Sequence, residues 1–297
     1  MSTAAAPSPL SAHEKETALI AWFRSRGSVL IGFSGGVDSA YLAVVALEAL
    51  GPERTLAVIG RSASYPLEQW TRARDVAAQF NVPVLELDTD ELNDPRYAAN
   101  PSNRCYFCKT ELWSRLLPIA AERGIAVVVD GTNADDLSGH RPGKLAAAEQ
   151  GVESPLAIIG FTKDEIRKLS QQRGIPTWSQ PSSPCLASRI PTGIEVTPLR
   201  LGKIEAAEKA LRAIGVTGDL RVRYYGETAR LEMTSGETER WRQPAARERI
   251  RDAVLGAGFS GVEIDVHGFR SGSLHSASVT AELDVLYAAP LPSESVV

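Results

Sequence analysis

The chain has 297 residues, a formal net charge of −4, 43% hydrophobic and 23% charged residues. That is the size of one large or two ordinary domains, with the balance of a soluble globular protein. No run approaches the ~18–20 apolar residues of a membrane span, and no block of like charges offers a broad nucleic-acid footprint, so neither a membrane nor a nucleic-acid partner is expected.

Residues 1–12 are rich in Ala, Ser and Pro, without the basic start and apolar core of a signal peptide. They predict a loose tail and a cytoplasmic location. Ala18, Leu19, Ala21 and Trp22 give 13–24 helical spacing. A strand is expected over 28–33, then the turn Ser34-Gly35-Gly36-Val37-Asp38-Ser39, then a helix over 39–50. Strands follow at 55–59, 82–87 and 125–129, and helices at 66–80, 110–123 and 163–173, the last capped by Thr162. Strands apolar throughout, alternating with helices, predict an α/β fold with a parallel sheet covered on both faces. A Pro/Ser-rich stretch at 176–198 marks a boundary. Beyond it, a helix at 199–214, strands at 219–225 and 228–234, a helix at 244–257 and a strand at 261–266 predict a small α+β domain. The expected division is a nucleotide-binding domain over 13–190, a second domain over 191–290 and a loose tail over 291–297.

The turn at 34–39 carries the first chemistry. Two adjacent glycines let backbone N–H groups converge. Ser34 and Ser39 add hydroxyls, and the next helix aims its positive end at the same point. This is a phosphate pocket, but not a Walker loop, because no G-x-x-x-x-G-K-[ST] run exists. Asp38 at its mouth either meets triphosphate through Mg²⁺ or caps the loop's own N–H groups. After the fourth strand comes Asp130-Gly131-Thr132-Asn133-Ala134-Asp135-Asp136. Gly131 permits close approach of a nucleotide. Asp135 and Asp136 supply oxygen ligands for Mg²⁺ or form an Asx-rich turn.

Three cysteines are a poor disulfide framework and a good ligand or nucleophile set. Cys105 and Cys108 form a C-x-x-C between Arg104 and Lys109. It reads as a redox pair, part of a zinc or iron–sulfur site, or two half-buried thiols. Cys185 lies in a proline-bounded loop with Ser188 and Arg189, either as a reactive thiolate or as a buried small hydrophobe. Arg221 and Arg223 alternate on a strand and share a face. They either clamp an anion or lie on a solvated face with Glu partners.

SGGVDS resembles the phosphate loop of the N-type ATP pyrophosphatases. Seven stretches in order resemble the LarE family of PP-loop sulfur transferases: SGGVDS (34–39), NPSNRCYFCK (100–109), DGTNADD (130–136), RPGKLAAAEQGVESPL (141–156), PCLASRIPTG (184–193), RVRYYGETARLE (221–232) and DVHGFRSGSL (265–274). The match covers roughly 28–275. Pro184 and the presence of three cysteines depart from the single-cysteine members.

The resemblance implies an ATP-dependent enzyme that adenylylates a carboxylate of a pyridinium mononucleotide and converts it to a thiocarboxylate. It implies ATP and Mg²⁺ as cofactors, a small-molecule substrate and a homo-oligomer. Ser34, Gly35, Gly36, Asp38, Ser39 and Gly131 would bind ATP. Asp136 would hold Mg²⁺. Cys185, with Asp38 and Ser39, would be catalytic. Ser188, Arg189, Arg221 and Arg223 would bind substrate. In three-cysteine members the thiols hold a [4Fe–4S] cluster carrying the donor sulfide, which assigns Cys105, Cys108 and Cys185 as ligands; in single-cysteine members the protein gives up its own sulfur. A PP-loop tRNA thiolase is the nearest rival, opposed by the acidic balance and the lack of an evident RNA-binding domain. A non-catalytic ATP-binding sulfur carrier is the other.

Overall fold

The computed structural model describes residues 10–138, 142–181, 184–270 and 283–287. In chain order the elements are α1 (Ala12–Arg26), β1 (Val29–Gly32), α2 (Val37–Leu50), β2 (Thr55–Arg61), α3 (Leu67–Gln79), β3 (Val84–Asp88), α4 (Pro95–Ala98), α5 (Arg104–Glu122), β4 (Val127–Val129) and α6 (Pro142–Glu149). There follow α7 (Pro155–Ile159), α8 (Lys163–Gln172), α9 (Pro198–Ala213), β5 (Leu220–Tyr225), β6 (Thr228–Met233), α10 (Ser235–Trp241), α11 (Pro244–Gly256), β7 (Gly261–Asp265) and β8 (Leu283–Tyr287). No helix among the described residues is long and apolar enough to cross a membrane. The tails over 1–9 and 288–297, His140, His275 and the end of the 265–274 stretch lie outside the described residues.

The chain divides into two compact units. The first spans residues up to 91 and 103–183. Its sheet has the order β3-β2-β1-β4, parallel throughout, with Val29 opposite both Thr55 and Val127. Strand alternation sends Val29 and Ile31 into one apolar layer, with Leu19, Phe23, Tyr41 and Phe161, and Leu30 into the other, with Trp113, Leu116 and Val128. Burial on both faces is why these strands read as unbroken apolar runs. The order also fixes the site. The chain leaves β1 toward β2 on one side and returns to β4 on the other, so a crevice opens beyond the carboxyl ends of β1 and β4. The turn at 34–39 and the segment 130–136 both follow those ends.

The second unit comprises 92–102 and residues from 184 onward. Its sheet order is β5-β6-β7-β8; β5/β6 and β7/β8 are antiparallel and β6/β7 is parallel. The segment 92–102 is tied in by buried Asn100, whose amide donates to the carbonyls of Ile190, Pro191 and Ile194 at 3.2, 2.8 and 2.9 Å.

Two differences from the sequence expectation matter. Helix α5 starts at Arg104, well before 110, so Cys105 and Cys108 lie on a helix with their side chains three residues apart on one face. Helix α10 and strand β8 extend the expected α-β-β-α-β order. In α10 only Thr238 and Trp241 are buried, which gives no apolar period to detect.

Candidate active site

Gly35 has φ +68°, and a Cβ there would lie 2.6 Å from Cβ of Ala73. The turn therefore needs glycine for its backbone and for its packing. Gly36 is the N-cap of α2 and supplies no side-chain cap. The first-turn N–H groups are left for an anion, as at other helix N-termini. The Ser39 hydroxyl is more internal than the sequence reading has it. Ser39 is 5% exposed. Its Oγ donates to the Gly36 carbonyl at 3.2 Å, accepts the Ser34 N–H at 3.2 Å and lies 3.2 Å from Ser34 Oγ. Ser39 closes the loop on itself, and Ser34 stays at its exposed rim.

Asp38 is the charged group of the loop. One carboxylate oxygen accepts from Asn133 Nδ2 at 3.3 Å, and the other is bonded to the Lys163 ammonium. The side chains of Lys163 and Asp38 are 33% and 19% exposed, so the pair is open to a ligand. Neither alternative weighed for Asp38 included this lysine. Lys163 is the first residue of α8, and its backbone N–H is capped by Asp135 at 2.7 Å. A cation at a helix N-terminus opposes the helix dipole. That mismatch is the one local sign in the sequence that Lys163 has a task beyond the helix.

Gly131 is approached by backbone rather than by open space. A Cβ there would meet the Ser39 nitrogen at 3.0 Å and the Asp38 carbonyl carbon at 3.3 Å. The rest of 130–136 forms the Asx-rich turn. Asn133 Oδ1 accepts the Asp135 and Asp136 N–H groups at 3.0 and 3.2 Å. Asp130 accepts from the Thr132 N–H, the Thr132 hydroxyl and Ser154 Oγ. Asp136 Oδ2 accepts the Asn133 N–H at 3.3 Å. Among the described residues no group of three or more His, Cys, Asp or Glu side chains is arranged to hold a metal ion. Mg²⁺ does not need one, since it is held by one or two carboxylates plus substrate phosphates. Asp38, half-buried at the loop mouth, fits that role by its chemistry.

On α5, Cys105 is exposed and Cys108 half-buried. Helix α6 lies against this stretch, where a Cβ on Gly143 would stand 3.9 Å from Cys105 Cβ and 3.1 Å from Lys109 Cγ. The Lys109 ammonium sits 5.2 Å from the Trp113 ring centroid. These two thiols are one short of the three assigned to a cluster, and Cys185 belongs to the second unit.

In the second unit, half-buried Cys185 is the N-cap of the short 3-10 turn Leu186–Arg189. Its carbonyl accepts from the Ser188 N–H at 3.0 Å, Ser188 Oγ at 2.7 Å and the Arg189 guanidinium at 3.2 Å. Arg189, 2% exposed, also donates to the Pro184 carbonyl at 2.6 Å and pairs with Glu208 at 2.9 Å. In this arrangement Ser188 and Arg189 shape the Cys185 loop. Arg221 and Arg223 are 5% and 6% exposed, so the solvated-face reading fails although the Glu partner it foresaw is present. Arg223 pairs with Glu232 at 2.7 Å and donates to the Ser188 carbonyl at 2.9 Å. Arg221 stacks 4.9 Å from the Phe269 ring centroid, with Asp219 at 3.9 Å. Burial, followed by repulsion from Arg189, lowers its pKa to about 10. The three arginines thus lie buried beside the cysteine loop, each with a carboxylate nearby: Glu208, Asp219 and Glu232.

Residues 22–115 match the NAD synthase family model. Over 269 residues the chain is 32% identical to the pyridinium-3,5-bisthiocarboxylic acid mononucleotide synthase of Lactiplantibacillus plantarum, covering 91% of this chain and 96% of that protein. It is 38% identical over 254 residues to an uncharacterized protein of Synechocystis, covering 86% and 94%. Among solved structures, NMN synthetase from Francisella tularensis aligns with a TM-score of 0.49 at 18% identity, covering 59% of this chain and 76% of that one.

Proposed function

Because the chain belongs to the LarE family of PP-loop, ATP-using enzymes, we propose that it converts a carboxylate of a pyridinium mononucleotide into a thiocarboxylate, by way of an acyl-adenylate. The observation that carries this is the loop at 34–39 in the β1/β4 crevice, with uncapped helix donors and a carboxylate already held by a cation. A carboxylate is a poor acyl donor because oxide is a poor leaving group. Attack of a carboxylate oxygen on the α-phosphorus of ATP forms a P–O bond and expels pyrophosphate. The acyl group then has AMP as its leaving group.

The residues divide the work. The N–H groups of Gly35, Gly36 and the first turn of α2 bind the departing pyrophosphate, where charge develops. Asp38, linked through Asn133 to Asp136, would hold Mg²⁺, which would offset the charge of the phosphates. Lys163 is the resting counterion of Asp38. With nucleotide in the crevice, the Lys163 ammonium would exchange Asp38 for the α-phosphate. Gly131 keeps the two loops in register. In the second unit, Arg221 and Arg223 hold the substrate's phosphate and free carboxylate, and Arg189 and Ser188 present Cys185.

For the sulfur donor, we favour a cluster-borne sulfide with Cys105, Cys108 and Cys185 as ligands, because three thiolates would hold three irons of a four-iron cluster and leave the fourth open for a labile sulfide. A second reading rests on half-buried Cys185, whose loop is shaped by Ser188 and Arg189. In it, Cys185 Sγ attacks the acyl carbon and AMP departs with the C–O bond electrons. Removal of the Cys185 Cα proton then breaks Cβ–Sγ, which leaves the thiocarboxylate and dehydroalanine. Exchange of labelled pyrophosphate into ATP, dependent on the pyridinium mononucleotide, tests the adenylylation common to both. Exchange without that substrate, or none with it, contradicts the reading.

A further inference from the structure

The phosphate-binding turn is held from outside by residues that none of the roles above uses. The Ser34 carbonyl accepts from Tyr65 Oη at 2.9 Å and from Gln69 Nε2 at 3.2 Å. Tyr65 just precedes α3, and Gln69 lies in its first turn. The Tyr65 hydroxyl has one proton, and its other acceptor, the Gln69 carbonyl, is farther at 3.4 Å. Burial pushes the Tyr65 phenol up, so it stays a donor across neutral pH. The amide of Gln69 has one sensible orientation: reversed, it would set Oε1 against the Ser34 carbonyl, acceptor to acceptor. In the orientation present, Oε1 is buried with no hydrogen-bond partner. Burying an unsatisfied amide oxygen is costly. The cost is borne where Nε2 fixes the loop.

A planar trans peptide points its C=O and the next N–H in opposite directions. Fixing the Ser34 carbonyl toward α3 turns the Gly35 N–H away from α3. Ala73 of the same helix packs against the Gly35 Cα, where a Cβ would come within 2.6 Å of it, so α3 seats both ends of this residue's backbone.

We infer that Tyr65 and Gln69 are positioning residues for pyrophosphate release, locking the Ser34–Gly35 peptide so that the Gly35 N–H faces the β- and γ-phosphates. The inference rests on the ATP reading above.

The test uses the full chain with Tyr65→Phe, Gln69→Leu and the double variant. Calorimetry compares two probes, α,β-methylene-ATP and AMP, which lacks the β- and γ-phosphates. Each single change is expected to weaken the ATP analogue by about three- to tenfold, the worth of an ordinary hydrogen bond, and to leave AMP within about twofold. Gln69→Glu, which keeps volume but replaces the donor with an acceptor, is expected to lose at least as much as Gln69→Leu. If the analogue and AMP weaken by the same factor, or neither weakens, the inference is overturned, and Tyr65→Phe alone decides it should the Gln69 variants unfold. If the parent protein itself binds AMP as tightly as the analogue, the ATP reading falls too. A parent that prefers the analogue, with variants that keep the preference, sinks only the positioning role.

Discussion

Replacing Lys163 with Met separates a charge that serves chemistry from one that serves folding. The Lys163–Asp38 pair is neither fully exposed nor buried, at 33% and 19% side-chain exposure. Exposed pairs contribute about 0.2–1 kcal/mol and broken buried pairs cost about 3–5 kcal/mol. Asp38 keeps its bond from Asn133. A folding cost of about 1–2 kcal/mol follows, a shift of a few degrees in melting temperature for a chain of this size. With about 5–15 kcal/mol of total stability, the variant stays folded. The rate effect is larger. Losing a preorganised charge-stabilising group costs about a hundred- to a thousand-fold in turnover. Substrate-dependent pyrophosphate release is the assay, with melting temperature measured beside it. Lys163→Arg should recover stability better than rate, because a planar fork cannot reproduce a point charge. Release within about twofold of the parent would refute the reasoning, as would a rate loss accompanied by global unfolding.

Asp38→Asn should remove pyrophosphate release by a similar factor while melting within a few degrees of the parent; unchanged release would remove Asp38 from the reaction. Arg221→Gln should raise the concentration of pyridinium substrate needed by about tenfold or more, the worth of a charged hydrogen bond, with ATP affinity unaltered. Arg223 is a poorer probe, since truncating it also breaks a buried ion pair with Glu232, whose side chain is 4% exposed. Stability should also fall in acid with a defined sign. Burial alone would raise the Glu16 carboxyl, but hydrogen bonds from Arg173 and Tyr41 outweigh it and hold it low. Glu165 is held low against burial by Lys15 and Thr162. Depressed carboxyls stabilise the fold above their unfolded value and lose that contribution as pH falls through the folded one. Glu16→Gln should therefore flatten the loss of urea midpoint between neutral pH and about pH 3, and an unchanged slope would contradict the assignment.

The phosphate loop was legible because its chemistry is local. Gly35 needs a positive φ and Gly36 a bare helix start, and both demands fall on adjacent residues. The parallel sheet followed from apolar strands alternating with helices, whereas its order, and with it the β1/β4 crevice, is set by pairings distant in sequence. Lys163 was not legible as a site residue because its partner, Asp38, is 125 positions away, and a cation at a helix start is a local sign that names no partner. Alternation put Arg221 and Arg223 on one face, yet nothing in it said that the face is covered. Their burial comes from Phe269, Glu232 and the Cys185 turn, brought together by sheet pairing and the fold. Tyr65 and Gln69 escaped notice for the same reason: they act on a backbone carbonyl, which leaves no motif.

The most direct test of the account is a single-turnover reaction of the protein with ATP, Mg²⁺ and the pyridinium dicarboxylate mononucleotide under anaerobic conditions. Mass spectrometry follows both the product and the intact chain. The account predicts one AMP and one pyrophosphate per carboxylate converted, and a product in which one oxygen has become sulfur. With a cluster-borne donor the chain mass is unchanged and all three cysteines are required; with Cys185 as donor the chain loses the mass of H₂S at that residue. An ATP turnover that leaves the pyridinium carboxylates unaltered, with no sulfur in any product, would contradict it.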